Sequence, residues 1–313
     1  MHVMSGFLLV LMAMLAQQPA GAAASPAHAG IAVVHYVPER VYDTTKKSFS
    51  DFESMLADVT TADVVLIGEQ HDDPNTHRLE AAVLQGLLRR GRAVTVSLEM
   101  FERDVQAELD DYLAGRKAEE QFLTASRPWP RYATDYKPLV ELARAHGWGV
   151  IASNVPRKYG SLVAKSGLAG LKTLSDAERA FVAKDLHCPI DNYYERFSQV
   201  MNQHPAPGSE KQTDDERRAV TERYYFAQCV KDETMAESIV SALQKLDGKP
   251  GTVVHYNGAF HTDFGAGVAE RVRRRLPDRR IALITMLPVD NIDTVQPEGD
   301  ELTRAQYLVY TVK

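Results

Sequence analysis

The sequence predicts an α/β fold, with a mostly parallel central sheet flanked by helices, on three observations. Short β-rich apolar runs at Val64 to Ile67, Ala93 to Leu98, Gly149 to Ser153, Thr252 to Tyr256 and Arg280 to Leu287 have the near-continuous hydrophobicity of strands buried on both faces. Segments of helical periodicity separate these runs, the alternation that builds strand-helix-strand crossovers. Polar groups stand where the runs stop, namely Glu69 to His71, Glu99, Asn154 and Asn257. Ligands of open α/β sheets sit at these carboxyl ends.

Composition sets the outer bounds. A chain of 313 residues with 44% hydrophobic and 25% charged residues suits one globular domain carrying an insertion, placed here at 30–313. A net charge of −6 without an extended basic stripe argues against a nucleic-acid partner. The one dense basic run, Arg271 to Arg275 with Arg279 and Arg280, is expected on the solvated face of a late helix. Residues 1–29 read as a cleaved secretory signal: the apolar stretch Gly6 to Leu15 is too short to span a bilayer, and small residues precede Ser25 and Gly30. No cysteine lies nearby for a lipid anchor. The mature chain is therefore expected to be soluble, periplasmic or secreted, with no transmembrane segment. In an oxidising compartment Cys188 and Cys229 read either as a disulfide, contributing roughly 4 kcal/mol through chain entropy, or as two buried thiols.

The mature chain opens with Ile31 to Tyr36 and Arg40 to Asp43, a marginal hairpin at one sheet edge. Ser48 to Val59 reads as a helix with Phe52, Met55, Leu56 and Val59 on one face. After the first buried strand, Pro74 and Asn75 mark a turn into a helix on which Leu79, Val83, Leu84, Leu87 and Leu88 recur. The second strand leads to helices at Val105 to Ala114 and Glu119 to Ala125, a Pro- and Trp-rich link (Arg127 to Tyr132), a helix from Pro138 and the third strand. Over 159–246 the strand pattern vanishes. Helical periodicity, broken at His204 to Gly208, predicts an insertion lying as a lid over the sheet's carboxyl edge and carrying Tyr193, Tyr194, Phe197, Met201, Tyr224, Tyr225 and both cysteines. The fourth strand, a helix over Val268 to Leu276 and the fifth strand follow, and Tyr307 to Val312 suits an edge strand.

One constellation carries chemistry. His71 and His261 each stand three residues after a glycine, Gly68 and Gly258, and Glu99 ends a neighbouring strand. Two imidazoles and a carboxylate are a recurrent set for a divalent metal with open positions, such as Mn, Co or Zn. The glycines would let the backbone turn sharply beneath each imidazole. In a hydrolase built this way, Glu69 would take a proton from a bound water and Asn154 would polarise a carbonyl. The bland alternative is two loop histidines and an exposed glutamate.

The paired motifs GEQH (Gly68 to His71) and GAFH (Gly258 to His261), with SLEMF (Ser97 to Phe101) between them, resemble those of the ChaN-like haem-binding proteins. The link from Trp129 through DYKPL (Asp135 to Leu139) to ASNVPR (Ala152 to Arg157), and DETMA (Asp232 to Ala236), are similar too. The resemblance covers Val41 to Val289 and extends more distantly to the Tiki metalloproteases and the erythromycin esterases.

It implies an exported haem-binding protein tied to iron acquisition, with a tyrosine on the haem and pairs of haems held between two subunits, hence a homodimer. The best-known members are lipoproteins, and the missing lipobox departs from them. The Tiki branch implies metal-dependent peptide hydrolysis by His71, Glu99 and His261; the esterase branch implies His71 as a base on water. A phenolate suits ferric iron. The lid offers Tyr193 and Tyr194 beside Phe197 and Met201, although so aromatic a helix also suits simple core packing. Arg157, Lys158 or His187 could pair with propionates. Haem binding is the function expected first, and metal-dependent hydrolysis in the same pocket the alternative.

Overall fold

The structure is a computed structural model and describes residues 37–203, 212–246, 248 and 250–313. The expected signal segment, the strand at Ile31 to Tyr36 and the break at His204 to Gly208 lie outside them.

Among the described residues, eight strands form one sheet: β1 (Glu39–Asp43), β2 (Ser48–Ser50), β3 (Val64–Glu69), β4 (Val94–Glu102), β5 (Val150–Asn154), β6 (Thr252–Gly258), β7 (Ile281–Val289) and β8 (Tyr307–Val312), in the order β2-β1-β8-β7-β3-β6-β4-β5. From β8 to β5 every pairing is parallel, while β1 runs antiparallel to β8 and to β2. The predicted mostly parallel sheet is therefore present, and β3 and β6 are buried along their whole length.

The α-helices among the same residues are α1 (Phe52–Val59), α2 (Pro74–Arg89), α3 (Gln106–Leu113), α4 (Glu119–Ser126), α5 (Tyr132–Asp135), α6 (Lys137–Ala145), α7 (Arg157–Ser166), α8 (Asp176–Arg179), α9 (Asn192–Gln203), α10 (Asp214–Lys245) and α11 (Gly267–Arg275). Alternating strand positions feed two cores. Val65, Ile67, Val96, Leu98, Val254 and Tyr256 pack on one face with α1, α2 and α6. Val64, Leu66, Val253 and Leu283 pack on the other with Met235, Ile239 and Leu243 of α10 and Val268 and Val272 of α11. The insertion thus does more than cover the strand ends, because the carboxyl half of α10 forms a layer of the core. A third cluster, with Val155, Tyr159, Val163 and Val230, joins α7 to α10.

Four expectations change. Ser48–Ser50 is a strand, and the helix starts only after Asp51, whose carboxylate accepts from the Ser54 N–H as an N-cap. The partners of β1 are therefore β2 and β8, and β1 lies inside the sheet. Tyr307–Val312 is likewise interior, between β7 and β1. Finally, Arg271 is 1% exposed instead of solvated. Its Nε lies 3.3 Å from Glu233 Oε1, and the same buried carboxylate takes Arg274 at 2.7 Å and Arg275 at 2.6 Å. Three guanidiniums converge there because an ionised carboxylate without partners could not be buried.

Cys188 and Cys229 form a disulfide with their Cα atoms 5.7 Å apart. It ties the loop before α9 to the middle of α10. No helix among the described residues is long and apolar enough to cross a membrane.

Candidate functional site

The carboxyl ends of β3, β5 and β6 deliver Glu69, Asn154 and Gly258 to one edge of the sheet, and β4, which runs on to Glu102 instead of stopping at Glu99, adds Glu99 just beyond its last pairing with β6 at Leu98. Asp73 caps α2 through the Asn75 and Thr76 N–H groups, which fixes the loop bearing His71. His71 Nδ1 lies 2.5 Å from Glu69 Oε1, an oxygen that also accepts from the Tyr136 hydroxyl at 2.7 Å. Trp129 meets the His71 ring edge-on at 5.1 Å. Burial pushes the His71 pKa down, but Glu69 together with Glu99 makes the net shift upward. The imidazole remains half exposed, with a side-chain accessibility of 45%.

The two motif glycines act by close approach, not by turning. Gly258 has φ −55°, and neither glycine has positive φ. A Cβ on Gly258 would stand 2.7 Å from His71 Nε2, and one on Gly68 would stand 2.9 Å from the Ala259 Cα.

His261 lies one short turn beyond β6, with Nε2 3.2 Å from Glu99 Oε1 and Nδ1 2.5 Å from Asp232 Oδ1 on α10. Burial lowers its pKa, yet the two carboxylates overcome this and carry it up to about 9. Glu99 is its counterpart. Burial raises that carboxyl, but His261, Lys231 and the Gly258 N–H at 2.8 Å hold it well below the ordinary range. Next to them burial pushes the His255 pKa down to about 3, and its Nδ1 shares a hydrogen bond of 2.9 Å with Ser97 Oγ.

His71, Glu99 and His261 lie at one edge, where Glu99 and His261 both act on the charge of His71. Among the described residues, the group of three side chains whose ligand atoms all lie within 4.8 Å of one another is nevertheless a different one, Glu69, His77 and Glu80.

The expected haem residues separate. Tyr193 is buried, stacked on Phe260 at 5.3 Å, with burial holding its hydroxyl protonated. It lines a cavity of 280 Å³ together with Arg196 and Phe264. Tyr194 packs edge-on against Tyr225. His187 is exposed on the loop next to the disulfide, its N–H donating to Glu233 Oε1 at 3.1 Å. Arg157 belongs elsewhere, to two adjoining cavities that share Glu102, Trp129, Arg157 and Ser161.

The larger of these, 670 Å³, adds Arg127 and Lys158; the smaller, 220 Å³, adds Asn154, Tyr224 and Lys231. Arg127 is neutralised by Glu102 at 3.0 Å and Asp104 at 2.7 Å. Tyr224 is 47% exposed, an unusual state for a large aromatic side chain, and stands at the mouth of the smaller cavity. Sequence reasoning placed Tyr224 on the insertion without selecting it. Asp232 enters the sequence reading only as the first residue of DETMA, His77 only as one of the polar groups just beyond the first strand, and Glu80 not at all, because all three look like ordinary helix-surface residues until their partners are known.

Fold and site together define an α/β protein of the class that gathers its polar groups at the carboxyl edge of a parallel sheet beneath helices. A family model described as "Haem-binding uptake, Tiki superfamily, ChaN" matches residues 55–272, and the chain belongs to that family. The structure is similar to that of ChaN of Campylobacter jejuni, described by its cofacial heme binding, with a TM-score of 0.64 and 17% identity over 88% of this chain and 97% of that one. At that identity the likeness concerns the fold. An erythromycin esterase, EreC, is more distant, with a TM-score of 0.44 and 13% identity over 88% of this chain and 83% of its own. The sequence is 25% identical over 278 residues to the chloroplastic protein RETICULATA-RELATED 5 of Arabidopsis thaliana. That match takes in 80% of this chain but 35% of the plant protein, so the chain spans about a third of its relative's length.

Proposed function

We propose that this protein binds haem as cargo for iron acquisition, in the paired cavities between the Trp129 link, α7 and α10, where Tyr224 would hold the iron through its phenolate oxygen. The observation that carries this reading is the half-exposed Tyr224 phenol beside a cavity that also holds Trp129, Arg157 and Lys231. The donor set fits the group. A phenolate oxygen suits ferric iron, Trp129 offers an aromatic wall, and Arg157, Lys158 and Lys231 are placed to meet propionates. When bound, the haem supplies the iron; the protein's own residues only hold and shield it. The Campylobacter protein binds heme cofacially. The same mode here, with a pair of haems held between two copies of this chain, would make this edge a dimer interface.

Export to the periplasm or outside the cell accords with the disulfide, which persists in oxidising compartments. Mass spectrometry of the protein recovered from the host's periplasm should then show an amino terminus near residue 25 or 30.

The binding test is an absorbance titration with ferric haemin. The parent protein should saturate with a high-spin ferric spectrum. Tyr224→Phe should lose its phenolate charge-transfer band and bind at least about tenfold more weakly, a loss of about 1.4 kcal/mol. Tyr193→Phe with Tyr194→Phe should bind as the parent does. The opposite pattern would move the ligand to α9.

A second reading, metal-dependent hydrolysis, is favoured by one observation. Glu99 Oε1 and His261 Nε2 are 3.2 Å apart, a separation that two ligands of one ion adopt, and Asp232 orients the imidazole from behind. His71, oriented by Glu69, would complete that site or act as the base.

A further inference from the structure

Beneath the His71 loop, β3, α2 and α5 enclose a set of ionisable groups of which the His71, Glu99 and His261 arrangement uses only Glu69 Oε1, the oxygen that orients His71. Glu69, Glu80 and His77 have side chains 0%, 0% and 2% exposed. His77 Nδ1 lies 2.9 Å from Glu80 Oε2 and 3.9 Å from Glu69 Oε2. On its far side the ring is fixed by the His71 carbonyl, 3.1 Å from Nε2, with Asp135 Oδ2 at 3.5 Å. The carbonyl can only accept, so Nε2 donates there and Nδ1 is the ring nitrogen turned toward the two glutamates, an arrangement in which metal-ligating histidines are commonly held.

Two oxygens there have nothing to bind. Glu69 Oε1 takes both His71 and Tyr136, whereas Glu69 Oε2 and Glu80 Oε1 are buried with no hydrogen-bond partner. Asp135 adds a further carboxylate, and Arg131 pairs with it at 2.8 Å from the half-exposed side. The pocket therefore holds buried negative charge facing orphaned oxygens, an arrangement that requires a positive charge between them.

We propose that Glu69, His77 and Glu80 form a binding site for one first-row divalent cation such as Mn, Co or Zn, separate from both the haem cavity and His261. Metal–ligand bonds of about 2.1 Å place neighbouring ligand atoms roughly 3 to 4 Å apart; His77 Nδ1 stands 2.9 Å from Glu80 Oε2 and 3.9 Å from Glu69 Oε2, and one ligand atom of each residue lies within 4.8 Å of the other two, so small side-chain adjustments would close the site on an ion. One imidazole and two carboxylates are a donor set for such ions. The ion would neutralise Glu69 and brace the loop that carries His71. The competing occupant is a proton shared between the two carboxyls, and burial next to Glu69 does raise the Glu80 carboxyl well above its usual range.

The test is cobalt(II) binding to chelator-stripped full-length protein, followed by visible absorption and by melting temperature, in the parent, in Glu80→Gln and in His71→Ala. One equivalent should bind to the parent with ligand-field bands and raise the melting temperature by several degrees. His71→Ala should keep both effects, and Glu80→Gln should lose both. Anomalous diffraction from cobalt-soaked crystals of the parent needs no variant and should place the ion between Glu69 and Glu80. Absence of saturable uptake, with Glu80→Gln melting at or above the parent, would assign the pocket to a proton and overturn the proposal. Binding lost in His71→Ala, or an anomalous peak at His261, would overturn it in favour of the other arrangement. Haemin affinity, measured in the same preparations, tests the Tyr224 reading independently.

Discussion

Asp232 and His261 stand 29 residues apart in the chain and 2.5 Å apart in the fold, carboxylate oxygen to Nδ1, with neither side chain more than 8% exposed. The pair joins α10 to the end of β6. Because Glu99 holds the other ring nitrogen, His261 carries its charge between two buried carboxylates. This geometry has a direct signature in the stability of the protein.

A histidine whose pKa rises on folding stabilises the fold fully below its unfolded pKa and loses that contribution as pH climbs through the folded value. For His261 the window runs from 6.5 to about 9, so unfolding free energy should fall across it by roughly 3 kcal/mol from this one group. Asp232→Asn should flatten that fall, being far more destabilised than the parent at pH 6.5 than at pH 9. Urea midpoints at the two pH values measure it. An unchanged slope in the variant would mean that Glu99 alone holds the charge on His261, and no fall in the parent would mean that His261 is not charged in the folded protein.

The motif glycines make opposite predictions under a second mutation. Gly258→Ala should cost about 1–3 kcal/mol by overpacking against His71 Nε2, and His71→Ala in the same chain should recover most of that loss. Gly68→Ala meets backbone at Ala259, so no side-chain deletion should rescue it. A double-mutant cycle by chemical denaturation reads both. Equal rescue in the two cases would contradict the close-approach explanation.

Breaking the disulfide should be felt mainly through the unfolded chain. For a sequence separation of 41, the loop-closure estimate puts the loss in Cys188→Ala with Cys229→Ala at roughly 4 kcal/mol. Reductant should destabilise the parent by the same amount and leave the variant unmoved. Differential scanning calorimetry with and without reductant compares them.

The sheet was largely legible because its strands announce themselves locally. Val64 to Ile67 and Val253 to Tyr256 are apolar almost without interruption, and a buried parallel strand suits such runs of β-branched residues best. Ser48–Ser50 was not, since three residues carry no periodicity; the N-cap Asp51 was the one local signal that the helix begins later. Arg271 read as solvated because its partner Glu233 lies on another helix.

The site divides along the same line. Strand-end residues such as Glu69 and Glu99 could be found from where apolar runs stop. Asp232, His77 and Glu80 sit inside helices, where an acid or a histidine ordinarily faces water, and only tertiary contacts turn them inward. The choice between Tyr193 and Tyr224 was hidden for the same reason. Adjacent aromatic pairs look alike until Phe260, arriving from the far side of the insertion, covers Tyr193 and leaves Tyr224 uncovered.

The order β2-β1-β8-β7 has a bearing on how the chain reaches this structure. β1 touches the rest of the sheet only through β8, so its partner across Val41 and Val309 arrives after nearly all the intervening sequence. Loop closure over such a span is slow. The antiparallel margin should thus be the last part of the sheet to gain amide protection during refolding, after the parallel strands that carry the pocket. A chain shorn of residues 307–312 would keep the order of its binding edge while leaving β1 and β2 without a template.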